Sequence, residues 1–382
     1  MPSRVSIIRA EEYDVESLRP KIIKLLDQIG GIGSFFSKGE RILLKPNLLA
    51  ARTPERAVTT HPAVVEALAL ELIEFGVNVA IGDSPAGAHK GVERVFRNTG
   101  ILDIAERLGI PWINFEASGA NTIQCEDGLE IHFTKALENF DKIVSISKLK
   151  THSYTHYTGA IKNLFGLVPG FRKTAFHKAF PLTRDFAKVI VAIYKQVPVT
   201  LHLMDAIIGM EGNGPSSGDA RDVGLLLAST DGVALDRIAE KVIGVVKPTD
   251  SPITTLAASR GLGEGNIELI ELIGGNLAEF ILDPPFVLPS KAPQQILSTF
   301  FPSWFLRSLA KVIWIRPRAI DEKCIRCGIC VESCPVDAMT IVGDNPPDID
   351  YKKCITCLCC NEVCPQKAIE LVKSPITRFF GR

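Results

Sequence analysis

Arg41-Ile42-Leu43-Leu44-Lys45-Pro46, followed by His61-Pro62-Ala63-Val64-Val65-Glu66-Ala67-Leu68-Ala69-Leu70-Glu71-Leu72-Ile73-Glu74-Phe75-Gly76 and then Val77-Asn78-Val79-Ala80-Ile81, reads as strand, helix, strand. The first run is apolar and short, as a strand buried on both faces requires. The second has helical periodicity, with Thr60 as the expected N-cap, Pro62 in the first turn and Gly76 as the stop. Gly82-Asp83-Ser84-Pro85 reads as a turn after the second strand. The same alternation continues outward. Lys142–Ile146, Thr200–Met204 and Val223–Ala228 read as strands, and Asp185–Lys195 and Asp231–Ile243 as helices. Strands alternating with helices predict an α/β fold, a mainly parallel sheet with helices on both faces. Ligand sites on such sheets lie at the carboxyl ends of strands.

The chain has 382 residues, 46% of them apolar and 23% charged, with 43 basic and 43 acidic side chains. This is globular composition, and a formal net charge of zero gives no electrostatic footprint for nucleic acid. No apolar run reaches the roughly 18 to 20 residues of a membrane-spanning helix. The opening residues, Met1 to Arg9 and then Glu11 and Glu12, lack a signal-peptide pattern, so the expected compartment is the cytoplasm.

The alternation ends near Asp283-Pro284-Pro285-Phe286-Val287-Leu288-Pro289, which reads as a linker. Ala292–Arg318 is aromatic and basic, with Phe300, Phe301, Trp304, Phe305 and Trp314 beside Arg307, Lys311, Arg316 and Arg318. A helix over 300–316 would be apolar nearly all round. Docking against protein is preferred for it over contact with a membrane surface.

Nine of the ten cysteines lie between Cys324 and Cys364. The first run is Cys324-x-x-Cys327-x-x-Cys330-x-x-x-Cys334-Pro335 and the second Cys354-x-x-Cys357-x-x-Cys360-x-x-x-Cys364-Pro365. Both have the bacterial ferredoxin spacing, in which the fourth cysteine ligates the other cluster. Cys324, Cys327, Cys330 and Cys364 are thus assigned to one 4Fe–4S cluster, and Cys354, Cys357, Cys360 and Cys334 to a second. Thiolates suit zinc as well, but zinc ribbons use separated C-x2-C pairs rather than three cysteines in close succession. Short helices are expected at Val336–Met339 and Gln366–Ile369. Cys359 is out of register and reads as a small packed hydrophobe, as does Cys125.

The cysteine runs resemble the two-cluster 4Fe–4S ferredoxin family. The body, about Ile42 to Ile243, resembles the family called domain of unknown function 362. Lys45-Pro46-Asn47, Thr60-His61-Pro62, Gly82-Asp83-Ser84-Pro85, Lys148-x-Lys150-Thr151-His152, Thr158-Gly159-Ala160-Ile161-Lys162-Asn163, Asp205-x-x-x-Gly209 and Asp231-Gly232-Val233-Ala234-Leu235-Asp236 carry that resemblance. It implies an iron–sulfur protein of undetermined reaction, organised as an α/β domain over 1–282, a linker with the aromatic helix over 283–318, a two-cluster ferredoxin domain over 319–373 and a tail over 374–382.

In the body, Ser147–Lys173 contains Lys148, Lys150, Lys162, Arg172 and Lys173, with His152 and His156, and no acid. That composition suits a carboxylate or phosphate, although a solvated basic loop has the same composition. Lys45, Lys150, His152, Lys162 and Asp205 are the candidate catalytic residues, and Asn47, Lys148, Thr151 and Asn163 the candidate substrate-binding ones. A helix would pair His152 with His156 as a metal site, but the glutamate of the zinc-protease pattern is replaced by Ser153. Asp83 and Asp205, at strand ends, are acid/base candidates or turn caps. Neither Glu211–Gly218 nor Gly261–Gly265 has dinucleotide spacing, and no P-loop is present. The expected function is electron transfer between the clusters and a small anionic substrate held by the body. The alternative is a non-catalytic subunit that docks another redox protein.

Overall fold

A computed structural model describes residues 2–85, 91–180, 182–289, 315–334, 336–355 and 358–374. The strands, in chain order, are β1 Arg4–Arg9, β2 Arg41–Pro46, β3 Asn78–Asp83, β4 Trp112–Asn114, β5 Ala120–Gln124, β6 Glu130–Thr134, β7 Lys142–His152, β8 His156–Thr158, β9 Leu201–Glu211, β10 Asp219–Ser229, β11 Glu271–Ile273, β12 Ile315–Ala319, β13 Met339–Thr340, β14 Asp348–Ile349 and β15 Ile369–Lys373.

The body is a nine-stranded sheet in the order β11-β1-β10-β9-β7-β2-β3-β4, with β8 paired to β7. β9, β7, β2, β3 and β4 run parallel to one another, whereas β10 is antiparallel to β1 and β9 and β8 to β7. The sheet is mixed but mainly parallel, as the alternation predicts. One face is covered by the helices Val15–Asp27, Pro62–Phe75, Val92–Asn98 and Ile101–Leu108, packed on Ile42, Leu44, Val144 and Ile146. The helices Thr183–Gln196, Gly232–Val242 and Pro252–Ser259 cover the other. β2 and β3 read clearly as strands because both faces are buried and their interiors are apolar.

Three local expectations are corrected. Helix Pro62–Phe75 is capped by His61, whose Nδ1 accepts from Ala63 N at 3.2 Å. Thr60 instead donates to Ile146 O at 2.7 Å and accepts from Asn47 N at 2.9 Å, tying the loop after β2 to β7. β7 does not end at Ile146 but continues to His152, because β9 and the β8 hairpin pair its polar half. In the C-terminal module the short helices are Ile329–Glu332 and Cys359–Val363, inside the cysteine runs, and β13 and β15 occupy the ends of the two segments expected to be helical. β12 pairs with β15 and β13 with β14. The helix expected at 300–316 lies outside the described residues up to 314.

Asp236 fixes the turn that follows β8. Its carboxylate is 1% exposed and accepts from Tyr157 Oη at 3.0 Å, Ala160 N at 2.7 Å and Ile161 N at 3.0 Å. Asp236→Ala leaves three buried donors without an acceptor, and each such loss costs roughly 1–3 kcal/mol. The variant is expected to lose about 3 kcal/mol or more, read as a lower urea midpoint at unchanged slope.

Candidate functional site

β2, β3, β7 and β9 point their carboxyl ends to one edge, so Lys45, Asp83, Lys148, Lys150 and Asp205 share it. Burial decides how each is held. An ammonium out of water requires acceptors. Lys45, 0% exposed, pairs with Asp83 Oδ1 at 2.7 Å and donates to Pro46 O at 3.0 Å and Asn163 Oδ1 at 3.3 Å. Asp83 also accepts from Leu48 N and Ser84 N. Lys148 pairs with Asp205 Oδ2 at 2.8 Å and donates to Tyr13 Oη at 2.9 Å. Asp205 accepts as well from Tyr13 Oη, His61 N and Ile207 N, and Tyr13 stacks on His61 with ring centroids 3.6 Å apart. Both carboxylates are thus saturated by internal donors. Lys150 donates to Asn47 Oδ1 at 2.7 Å and Val58 O at 2.6 Å. Thr151 Oγ1 donates to Gly212 O at 2.8 Å, which ties the glycine-rich loop after β9 to β7. Asn163 joins the strands, donating to Ser145 Oγ at 2.9 Å and Lys45 O at 3.2 Å.

Lys162 differs from these. It is half-buried and makes no hydrogen bond or ion pair among the described residues. Burial brings its pKa down to about 8, with the Glu362 carboxylate opposing the shift. His152 and His177 are its electrostatic neighbours. His152 Nδ1 accepts from Tyr154 N at 3.0 Å and Thr155 N at 3.4 Å, so its proton resides on Nε2. Burial and the adjoining Lys162 hold the His152 ring well below its usual pKa and push His177 down to about 3, so both rings are neutral. His177 stacks on Phe186 at 4.4 Å. His152 and His156 face each other across the β7–β8 hairpin rather than along a helix. Among the described residues no three His, Cys, Asp or Glu side chains converge to hold a single metal ion.

The cysteines ring two cavities. Cys324, Cys327, Cys330 and Cys364 line one, and Cys334, Cys354, Cys359 and Cys360 line the other. Cys357 lies outside the described residues. Each run therefore sends its fourth cysteine to the cavity of the other run, and Cys359 is packed, buried, in the wall of the second cavity. The sites repeat each other: Ala338 N donates to Cys334 Sγ at 3.2 Å and Ala368 N to Cys364 Sγ at 3.1 Å. Such N–H···S bonds stabilise thiolate ligands. Burial, then the neighbouring Cys364 and Cys327, push the Cys330 thiol up to about 12, so thiolates gathered here call for a bound cation between them. The residues fit 4Fe–4S ligation.

The module's helix Cys359–Val363 rests on the basic edge of the body. Glu362 interacts with Lys162 and Lys150, Cys359 adjoins Lys173, and Lys367 Nζ donates to Gly218 O at 3.1 Å. Arg52, in the loop after β2, donates to Cys364 O and reaches Glu362 O at 3.5 Å. Sequence reading passed over Arg52 and Glu362, since a lone arginine in a loop and a glutamate between cysteines carry no spacing signal.

Residues 42–241 match the family described as domain of unknown function (DUF362), and residues 316–365 match a 4Fe-4S dicluster domain. The chain belongs to the DUF362 family. A thylakoid-associated protein of Synechocystis sp. is 37% identical over 265 residues, covering 69% of this chain and 80% of that protein. The lactate racemase apoprotein from Thermoanaerobacterium thermosaccharolyticum is similar at a TM-score of 0.40 and 14% identity, over 63% of this chain and 58% of that one. In this DUF362 member the C-terminal module is a ferredoxin-type 4Fe–4S domain suited to electron transfer. Among the described residues no helix is long and apolar enough to cross a membrane.

Gly166 packs against the Lys45–Asp83 pair, and a Cβ there would lie 2.3 Å from Asp83 Oδ1 and 2.5 Å from Lys45 Nζ. Gly166→Ala must split the pair, and breaking a buried pair costs about 3–5 kcal/mol. The expected result is a melting temperature lower by roughly 5–8 °C in calorimetry.

Proposed function

We propose that this chain is an iron–sulfur redox protein in which two 4Fe–4S clusters exchange electrons with a small anionic substrate bound at the basic edge of the body. The observation that carries the reading is the seating of helix Cys359–Val363, between cluster ligands, on Lys150, Lys162 and Lys173. When bound, the clusters supply one-electron transfer. The side chains supply the rest. Lys162, which interacts electrostatically with Glu362 but makes no hydrogen bond or ion pair among the described residues, is positioned to take an anionic oxygen as a further counter-charge. His152 presents Nε2–H as a hydrogen-bond or proton donor. Lys45, paired with Asp83, and Lys150, held by Asn47 and the Val58 carbonyl, fix the strand ends around Lys162. Lys148, Thr151 and Asp205 brace the strand ends. The reading keeps the cytoplasmic compartment that suits reduced thiols. The thylakoid association of the Synechocystis relative is consistent with an electron partner at a membrane face.

Anaerobically purified protein is expected to hold about eight iron and eight acid-labile sulfide per chain, as two cubanes do, and to give an electron paramagnetic resonance signal with dithionite. Colourless protein without sulfide removes the redox reading. Calorimetry with phosphate and a panel of mono- and dicarboxylates tests the site, where Lys162→Ala is expected to weaken the bound anion about tenfold or more. The pH dependence has a fixed sign. Lys162 is cationic below about 8, and an anion favours the cation. Affinity is therefore level below pH 8 and declines above it, until the pH passes the raised pKa of the complex. Lys162→Ala is expected to flatten this decline, and unchanged affinity in that variant for every anion removes the site assignment.

A further inference from the structure

Arg52 is 8% exposed and has no carboxylate partner among the described residues. Its hydrogen bonds cross to the C-terminal module, to the carbonyl of Cys364 and, at 3.5 Å, that of Glu362. The nearest groups that favour its positive charge are the sulfurs of Cys364 and Cys327, and Arg56 opposes it. Both cysteines line the same cavity. A desolvated guanidinium held by carbonyl dipoles alone is costly, and a negatively charged cluster is the counter-charge that this arrangement lacks.

We infer that Arg52 is a potential-setting residue, which stabilises the reduced state of the cluster held by Cys324, Cys327, Cys330 and Cys364 over that of the other cluster. The inference rests on the two-cluster reading above. On reduction a single electron from an external one-electron donor enters this cluster and makes it one charge more negative; no bond breaks and no proton moves. The adjacent fixed cation interacts more favourably with the reduced cluster than with the oxidised one. Among the described residues Arg52 has no recorded interaction with a residue lining the other cavity, so its charge weights the balance toward the cluster that includes Cys364. An arginine keeps its charge at every working pH. The offset is therefore the same at pH 6 and pH 9.

The test uses the full-length, anaerobically prepared chain and its Arg52→Gln and Arg52→Lys variants. Iron and sulfide content come first, since wild-type protein without two clusters defeats the earlier reading and not this one alone. Potentiometric titration with dithionite, followed by electron paramagnetic resonance, then gives both potentials. Arg52→Gln is expected to lower the reduction equilibrium constant of one cluster at least tenfold, about 59 mV for one electron, and to move the other less than a third as far. Arg52→Lys keeps the charge and is expected to remain near wild type. A potential is read on intact clusters, so partial iron loss in Arg52→Gln does not blur the result. Unmoved potentials in Arg52→Gln overturn the inference, as do equal shifts of both clusters or a loss in Arg52→Lys as large as in Arg52→Gln.

Discussion

Lysine ammoniums taken out of water at the ends of parallel strands impose the order seen around them. Each must find an acceptor within reach, and the acceptors come from distant parts of the chain: Asp83 for Lys45, Asp205 and Tyr13 for Lys148, Asn47 and the Val58 carbonyl for Lys150. These bonds pin the loop after β2, the turn after β3 and the long strand β7 to one another. The pinned loop carries Arg52, the residue that meets the ferredoxin module. Desolvation thus links the shape of the sheet edge to the placement of the iron–sulfur module.

How much of this is legible in sequence depends on how local the cause is. β2 and β3 are buried on both faces, and their apolar interiors announce it. The cysteine runs are legible because reaching successive corners of one cubane requires short, regular spacing. The polar half of β7 is not legible. Ser147–His152 reads as a solvated loop until β9 and the β8 hairpin supply pairing partners. Lys148 and Lys162 look alike in sequence, yet one is neutralised by a carboxylate 57 positions away and the other meets Glu362 without a hydrogen bond or ion pair among the described residues. No periodicity distinguishes them, because partner choice is a tertiary event. Likewise His61 takes the cap expected of Thr60 only because β7 offers Thr60 the Ile146 carbonyl.

The basic edge also shows how a site can be electropositive without being a cluster of free cations. Neutral His152 and His177 lie beside Lys162, and the buried Lys45 and Lys148 are paired with Asp83 and Asp205. Lys162, of the lysines named at this edge, is the one without a hydrogen bond or ion pair among the described residues.

The exchange of fourth cysteines between the two cavities has a consequence for how the module is built. The walls are interlocked: the one begun by Cys324 is completed only by Cys364, from the second cysteine run, and the one that contains Cys354 by Cys334, from the first. Neither half of the module is a finished vessel on its own.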